Sequence, residues 1–479
     1  MLRLFYNTCL HRIIMNIIHL RTEVAFKKTI SSCTKTFCMT TTIWPGNQVW
    51  PLWQKIIFRF FFIYFIIYTA PWTWINRIPG SWAQNVLQYY YQFMDWCVNT
   101  ANNGIFHLYK TLIPFNGSGD TSFGWTQLLL FFLFAFTGCI IWSLLDIKRN
   151  NYNRLSYWLR IVVRYFVIIN CFGYGIIKIF GLQMSFPLLS QMATPLGDFL
   201  PMRFSWMFMG YSLPYQSFSG FMEVTAGLLL LFRRTTTFGA LVASGVFINV
   251  MIMNLSYDIP VKLFSTHLVV MCFVLLVYDY NRVFAFIFNR AVMQCNLYSV
   301  SFSKKWMRIS KLILKLGFII VIVILPFKNS WTSYQQVHNR KETKPIKAGM
   351  YEVRKFVKNK DTIPYTYSDS LRWQEIIFEN DGRRGSIKTT DTMFWQRYRR
   401  GYFTYTTDTV NHTIEVKRTN FVMGENIFLF RLNYNMPDSN TIRMFGAIRK
   451  DSVFVELVKT NRRFQLSERQ FHWLSEYNR

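Results

Sequence analysis

RIVVRYFVIINCFGYGIIKIFG, residues 160–181, decides how this chain is read. The stretch is apolar for about the 20 residues that cross ~30 Å of hydrocarbon, yet it carries Arg164 near its start and Lys178 near its end. The apolar runs that follow add Glu223 and His267. An ionisable side chain at the centre of a bilayer costs on the order of 3 kcal/mol even on the mildest scale, so such groups face a bundle interior, pair with one another and mark sites of function.

The wider composition supports a membrane protein. Hydrophobic residues are 51% and aromatic residues 19% of the 479, in blocks rather than at amphipathic spacing, as in integral membrane proteins. A net charge of +30 raises nucleic acid as a partner, but Lys and Arg sit beside apolar runs or alternate with acids toward the C-terminus. They read as charges that set topology, and the expected partner is the lipid bilayer, with no nucleic acid. The eight cysteines have no CxxC or metal-ligand spacing and none lies beyond Cys295, so no metal site and no disulfide within the polar tail is expected.

Residues 1–50 form a basic segment, with Glu23 the one acid in the first 38. It reads as an upstream extension of the frame, since Met39 opens a compact run into the first apolar block; a transit-like presequence is the alternative. No signal peptide with an A-x-A-like site is visible. The segment 51–328 is expected to hold about seven spans, near 55–75, 125–145, 157–181, 217–232, 236–254, 261–280 and 309–327. Lys55 and Arg59 open the first; Lys148, Arg149 and Arg154 follow the second; Arg233 and Arg234 follow the fourth; and Arg282, Arg290, Lys304, Lys305 and Arg308 separate the last two. The positive-inside rule then predicts the N-terminus on the cytoplasmic side and the C-terminus outside.

Two connections stand out. The outer loop 76–124 contains PGSWAQNVLQYYYQFMDW, an aromatic segment of the kind that lies on an interface or caps a bundle. It ends in Asn116-Gly-Ser-Gly-Asp120, which reads as a tight turn or as a polar loop dipping toward the site. Beyond a linker at 329–348, residues 349–479 change to short alternating runs (MYEVRKFV, RWQEIIFE, GYFTYTT, HTIEVKR, IFLFRLNY, IRMFGAI, SVFVELV) between turn residues. They predict an extracytoplasmic antiparallel β domain, a small barrel or sandwich. The final RFQLSERQFHWLSEYNR is expected to hold one last strand and a short helix, with Ser467 as N-cap and Gln470 completing a capping box.

Topology converts into depth. Lys178 falls about 5 Å from the outer end of its span, Glu223 roughly 9 Å and His267 about 10 Å below the outer surface. Lys262 is at the rim, and Asn249, Asn254 and Asp258 line the exit of the intervening span. Arg160, Arg164, Cys171, Tyr174 and Lys178 recur at steps of four, seven, three and four, one face of a helix. Gly173, Gly175, Gly181, Gly227, Gly239 and Gly245 suit close helix contacts. Taken singly, Lys178 reads equally well as a snorkelling side chain and His267 better as a satisfied interior histidine. Together, Lys178, Glu223 and His267 are the candidate catalytic set, able to bind an anionic or quinone-like head group and move protons, with Arg164, Tyr174, Asn249, Asn254, Asp258 and Lys262 as binding residues. The methionines at 207, 209, 251 and 253 read as core fillers, and Asn116 and Asn411 head sequons that matter only in a glycosylating compartment. No Walker loop, dinucleotide fingerprint, HExxH or CxxCH is present, which argues against a nucleotide enzyme, a zincin or a c-type cytochrome.

Tyr174-Gly-Ile-Ile-Lys178, then Gly220-Phe-Met-Glu223-Val-Thr-Ala-Gly227-Leu-Leu-Leu-Leu, then Gly239 and NVMIMNLSYDIPVKLFSTH resemble in order the DoxX-like membrane proteins of bacteria, across residues 155–285. The resemblance implies a small helical bundle, a quinone as cofactor, and membrane redox or envelope proteins as partners, since some members are subunits of a thiosulfate:quinone oxidoreductase. The wider superfamily reaches bundles related to vitamin K-dependent carboxylase, which use a lysine base. This chain lacks an outer-layer cysteine pair and carries its own β domain, so thiol relay chemistry is not expected. The leading expectation that the resemblance implies is a multi-pass protein of the bacterial inner membrane, a quinone-interacting subunit of a membrane oxidoreductase. The alternatives are a non-enzymatic scaffold binding an envelope partner through the β domain and a carboxylase-related bundle; transport is disfavoured because no inverted repeat is seen.

Overall fold

Apolar length sets the helices in the computed structural model, which describes residues 49–114, 119–289, 304–339, 345–365, 372–420, 425–469 and 473. The N-terminal basic segment to residue 48, Asn116 to Ser118 of the Gly-rich turn, Arg290, residues 340–344 of the linker and Gln470 lie outside those residues. Among the described residues the longer helices are α1 (Leu52–Thr69), α2 (Trp82–Ala101), α3 (Ser122–Leu145), α4 (Asn153–Ile179), α5 (Pro201–Tyr211), α6 (Leu213–Leu231), α7 (Thr236–Ser256), α8 (Lys262–Val277) and α9 (Lys305–His338).

Every expected span is helical, but five rather than seven of the described helices are long and apolar enough to cross a membrane: α1 with its 3-10 extension to Arg77, α3, α4, α7 and α9. The other two fall short in different ways. α8 has 16 residues, about 24 Å against ~30 Å of hydrocarbon. α6 spends its first half on Gln216, Ser217, Ser219 and Glu223, so its apolar run is short. The segment 201–211, not expected to be regular, is α5, and α9 runs ten residues past the expected boundary at 328. A π turn at Ile320–Ile324 precedes Pro326 in α9, where proline removes a helical hydrogen bond.

α4 is the axis of the bundle. Val163, Val167, Ile168, Phe172 and Ile176 are buried on it, in one core with Phe65 of α1, Leu230 of α6, Ala243 of α7 and Met271 and Leu275 of α8. α9 packs along α4 by ring contacts, Phe318 on Tyr165 at 4.8 Å and Phe327 on Phe180 at 5.1 Å between centroids. Ile322 joins the same core with Ile319, Val321 and Val323 packed against it, and most of the rest of α9 is exposed.

The polar tail folds as a barrel, which decides between the two expected β forms. β1 (Gly349–Lys358), β2 (Glu375–Phe378), β3 (Arg384–Ile387), β4 (Arg400–Asp408), β5 (Thr413–Asn420), β6 (Glu425–Asn435), β7 (Thr441–Ile448) and β8 (Asp451–Lys459) pair antiparallel in chain order, and β1 closes on β8 from Tyr351 opposite Lys459 to Lys358 opposite Val453. The short β3, too brief to stand out in the sequence, supplies the eighth strand. Closure leaves no sheet edge. An eight-stranded barrel is narrow enough for side chains to fill, and Tyr351, Trp373, Phe378, Phe403, Phe430 and Leu457 do so. Among the described residues no further strand follows β8, and the final helical turn starts at Gln465 with Phe464 as N-cap, so Ser467 lies inside it rather than capping it.

The barrel meets the bundle at the connection between α4 and α6. Glu379, buried after β2, accepts from the backbone N–H of Leu189 at 2.9 Å and of Ser190 at 3.0 Å. Arg399 pairs with Asp198 at 3.0 Å, and Phe199 packs its ring on Tyr398.

Candidate functional site

α4 and α6 cross antiparallel with almost nothing between them. A Cβ on Gly220 would stand 2.5 Å from the Gly175 carbonyl oxygen and 2.9 Å from the Lys178 Cβ, and one on Gly227 would meet the Cys171 Cβ at 3.1 Å. Small residues of this kind let helix backbones touch. Gly175 and Gly239 serve as expected, Gly239 against α6, whereas Gly173 and Gly245 have open space around them and Gly181 closes α4 at φ +65°.

That crossing brings Lys178 and Glu223 into a direct ion pair, Nζ donating to Oε1. Lys178 is 5% and Glu223 1% exposed. The second carboxylate oxygen of Glu223 has no hydrogen-bond partner among the described residues. Two further ties hold the helix ends around the pair: Ser217 Oγ donates to the Ile179 carbonyl at 2.8 Å, and the Gln216 amide both donates to and accepts from the Met184 backbone at 2.8 and 3.1 Å. Cys171 and Tyr174 lie within electrostatic reach of Glu223.

His267 does not join this pair. Its Nδ1 meets the Leu263 carbonyl at 2.6 Å, which requires a proton on Nδ1, and its Nε2 meets the Tyr64 hydroxyl at 2.5 Å. Its ring stacks on Tyr68 at 4.0 Å and 9°. The expected trio is therefore a pair on α4 and α6 and a separate histidine bound to α1, because residues at equal depth on different helices need not face the same groove.

A cavity of about 550 Å³ lies between the ends of α1 and α4, lined by Tyr68, Trp74, Tyr91, Phe166, Tyr174 and Phe264, with Arg77, Asn170, Thr69 and Thr73 among its polar walls; Lys178 and Glu223 are not among its lining, and Ile177, next to Lys178, is. Tyr174 belongs to this wall and is within electrostatic reach of both Arg77 and Glu223. Asn170 is buried and donates to the Phe166 carbonyl at 2.9 Å.

The remaining expected binding residues take other positions. Arg164 donates to Thr236 at 3.3 Å, lies over the Tyr165 ring and leaves its Nε buried with no hydrogen-bond partner among the described residues, toward the opposite end of α4 from Lys178. Asn254 is buried, its amide 3.5 Å from the Val261 carbonyl, while its own backbone carbonyl accepts from Ile259. That bond, with Asp258 at φ +50°, closes α7 in the left-handed manner of a helix C-terminus. Asp258 is exposed and pairs with Lys262 at 2.6 Å. Asn249 is exposed, on the outer side of α7. The Asp120 carboxylate accepts from the backbone N–H of Lys262 at 2.6 Å and of Leu263 at 3.0 Å, capping α8 from the far end of the Gly-rich loop. Asn254, Asp258 and Lys262 thus serve helix ends rather than line the pair.

Compared with known proteins, the chain is 35% identical over 127 residues to the uncharacterized protein YwoB of Bacillus subtilis, an alignment covering 26% of this chain and 80% of that protein. The chain belongs to the YwoB family. No family model matches it, and no solved structure matches it.

Three polar groups of the bundle escape sequence reasoning. Arg59 is 2% exposed in α1 and donates to the Tyr152 hydroxyl, the Ser143 hydroxyl and the Asp146 carbonyl at 2.7–2.9 Å. Its place at the start of an apolar run suggests a flanking charge, although the rule that singles out Arg164 applies equally to an Arg followed by Phe-Phe-Phe. Asn170 in VIINC carries the same signal more weakly. Tyr64 and Tyr68 look like ordinary core rings, and nothing in their spacing marks a histidine partner 203 residues from Tyr64.

Proposed function

We propose that this chain is a membrane protein of DoxX-like type that takes a quinone-type head group into the cavity between the ends of α1 and α4, as a subunit of a membrane oxidoreductase. The observation that carries this proposal is the Lys178–Glu223 pair, buried where α4 and α6 touch, with one Glu223 oxygen lacking a hydrogen-bond partner among the described residues. A buried carboxylate with an unused acceptor beside an ammonium is equipped to hold and release a proton.

The cavity suits a flat ring. Six aromatic side chains line it, Arg77 is the one charged residue among its lining, and Tyr174 stands between that side and Glu223. Arg77 and Asn170 are suited to orient head-group oxygens, and Tyr68 is braced from behind by His267. A quinone supplies two-electron redox chemistry when bound; the protein's part is to orient the ring, exclude water and hold a proton at Glu223. The Lys and Arg between α3 and α4 and between α6 and α7 lie at the end of the bundle away from the barrel contacts, which supports a cytoplasmic face there and an outer face under the barrel.

The test is a titration of the purified chain in nanodiscs with a short-tailed menaquinone or ubiquinone analogue. Saturable binding is expected, weakened at least about tenfold, or ~1.4 kcal/mol, by Arg77→Ala and Tyr174→Ala and altered in its pH dependence by Glu223→Gln. No binding, or binding indifferent to all three changes, rejects the proposal.

A further inference from the structure

α2 has three faces. Ala83, Leu87, Met94, Val98 and Ala101 are buried. Trp82, Val86, Tyr89, Phe93 and Trp96 are each about half exposed or more; their steps of four, three, four and three place them within an arc of about 80° at 3.6 residues per turn. Gln84, Asn85, Gln88, Gln92, Asp95 and Asn99 occupy the remaining side and are exposed.

The buried face shows where the helix sits. Tyr90 packs against Trp72, just past the end of α1, at 5.7 Å, and Val98 and Ala101 share a small apolar cluster with Phe123 and Leu130 in the first turns of α3. α2 therefore lies across one end of the bundle, where α1 stops and α3 starts. A helix held there, with an apolar stripe on one flank and a wholly polar flank beside it, has the partition of a helix at a membrane surface. Trp and Tyr are the residues that prefer the head-group level, because each has a large apolar ring and a polar edge. The helix carries no Lys or Arg and a single acid, Asp95, so nothing in it selects anionic lipid.

We infer that the Trp82–Val86–Tyr89–Phe93–Trp96 stripe is buried in the outer-leaflet boundary between head groups and acyl chains, and that α2 is a lipid-anchored edge of the cavity, which it lines from its other flank with Tyr91. The inference rests on the bundle being a membrane bundle, and the experiment separates the two. p-Benzoylphenylalanine is placed singly at Tyr89, Phe93, Gln88 and Phe136, the last an exposed residue of α3, in the full chain reconstituted in phosphatidylcholine nanodiscs, and adducts are read by intact-mass spectrometry after irradiation. Positions 89, 93 and 136 should give phospholipid adducts severalfold above position 88, with yields unchanged at high salt. Lipid adducts at 136 alone, or cross-links from 89 and 93 to a second copy of the chain, overturn the anchor while leaving the membrane bundle standing. No lipid adduct at 136 overturns the membrane bundle and the anchor with it. All four positions are exposed, and an unchanged elution profile on size exclusion shows that each variant folds.

Discussion

Lys178 and Glu223 are 45 residues apart and meet only because Gly175 and Gly220 remove the side chains that would keep α4 and α6 apart. Each is the other's ion-pair partner among the described residues. Removing one therefore strands the other, and a stranded buried charge costs about 3–5 kcal/mol. Thermal denaturation in detergent should show Lys178→Met and Glu223→Leu each strongly destabilised, with the double variant recovering most of the loss, since paired apolar replacements of similar volume are close to neutral. A pair kept for stability alone would leave ligand binding intact in the recovered double variant. If Glu223 holds the proton for a bound quinone, binding stays impaired although folding returns. A double variant no more stable than the singles would mean that the pair is not coupled.

The helix crossing rather than the charges sets the geometry, and glycines make it. A Cβ at Gly220 lies under 3.0 Å from two backbone atoms of α4, which cannot rotate away as a flexible side chain can. Overpacking of this kind costs roughly 1–3 kcal/mol. Gly220→Ala should lower the bundle's melting temperature, and Gly173→Ala, with open space around it, should not. Equal effects at the two sites would dismiss the close crossing. Both glycines are equally visible in the sequence, and only the rotations of α6 and α4 about their own axes separate them. The same rotation puts Tyr174 on the cavity wall while Lys178, four residues on, turns to Glu223.

Two units with different physics share the chain. The bundle is held by apolar and aromatic packing around α4, and the barrel adds exposed and half-buried ion pairs to its filled interior. Burial pushes the Asp381 carboxyl up, but the N–H groups of Arg383 and Arg384 at 2.9 and 3.0 Å and the Arg384 guanidinium outweigh it and hold the group below the usual carboxylate range. The Arg431 and Lys417 side chains do the same to Glu415. A carboxylate with a depressed folded-state value contributes stability that is complete above the ordinary value, near ~4, and is lost as pH falls through the lower folded value. Near-ultraviolet circular dichroism on heating should show the barrel transition constant from neutral pH to about pH 5 and falling below ~4, with Asp381→Ala flattening that fall. A barrel transition independent of pH down to ~2 would contradict it. The two units are joined where the buried Glu379 carboxylate accepts from the Leu189 and Ser190 backbone.

Apolar run length and strand alternation are local properties, so the sequence by itself determined a bundle of long apolar helices followed by a closed or sandwiched antiparallel β domain, and it named Lys178 and Glu223 as out of place in an apolar setting. It also placed both at similar depth, because rise per residue is constant along a helix. Depth is one coordinate of three. Which faces meet depends on how helices rotate and cross, and that depends on packing between residues far apart in the chain. Tertiary structure alone joined Lys178 to Glu223, withdrew His267 to Tyr64 and Tyr68, turned Asn249 outward, buried Arg59 against Tyr152, and chose a barrel by bringing β1 back to β8.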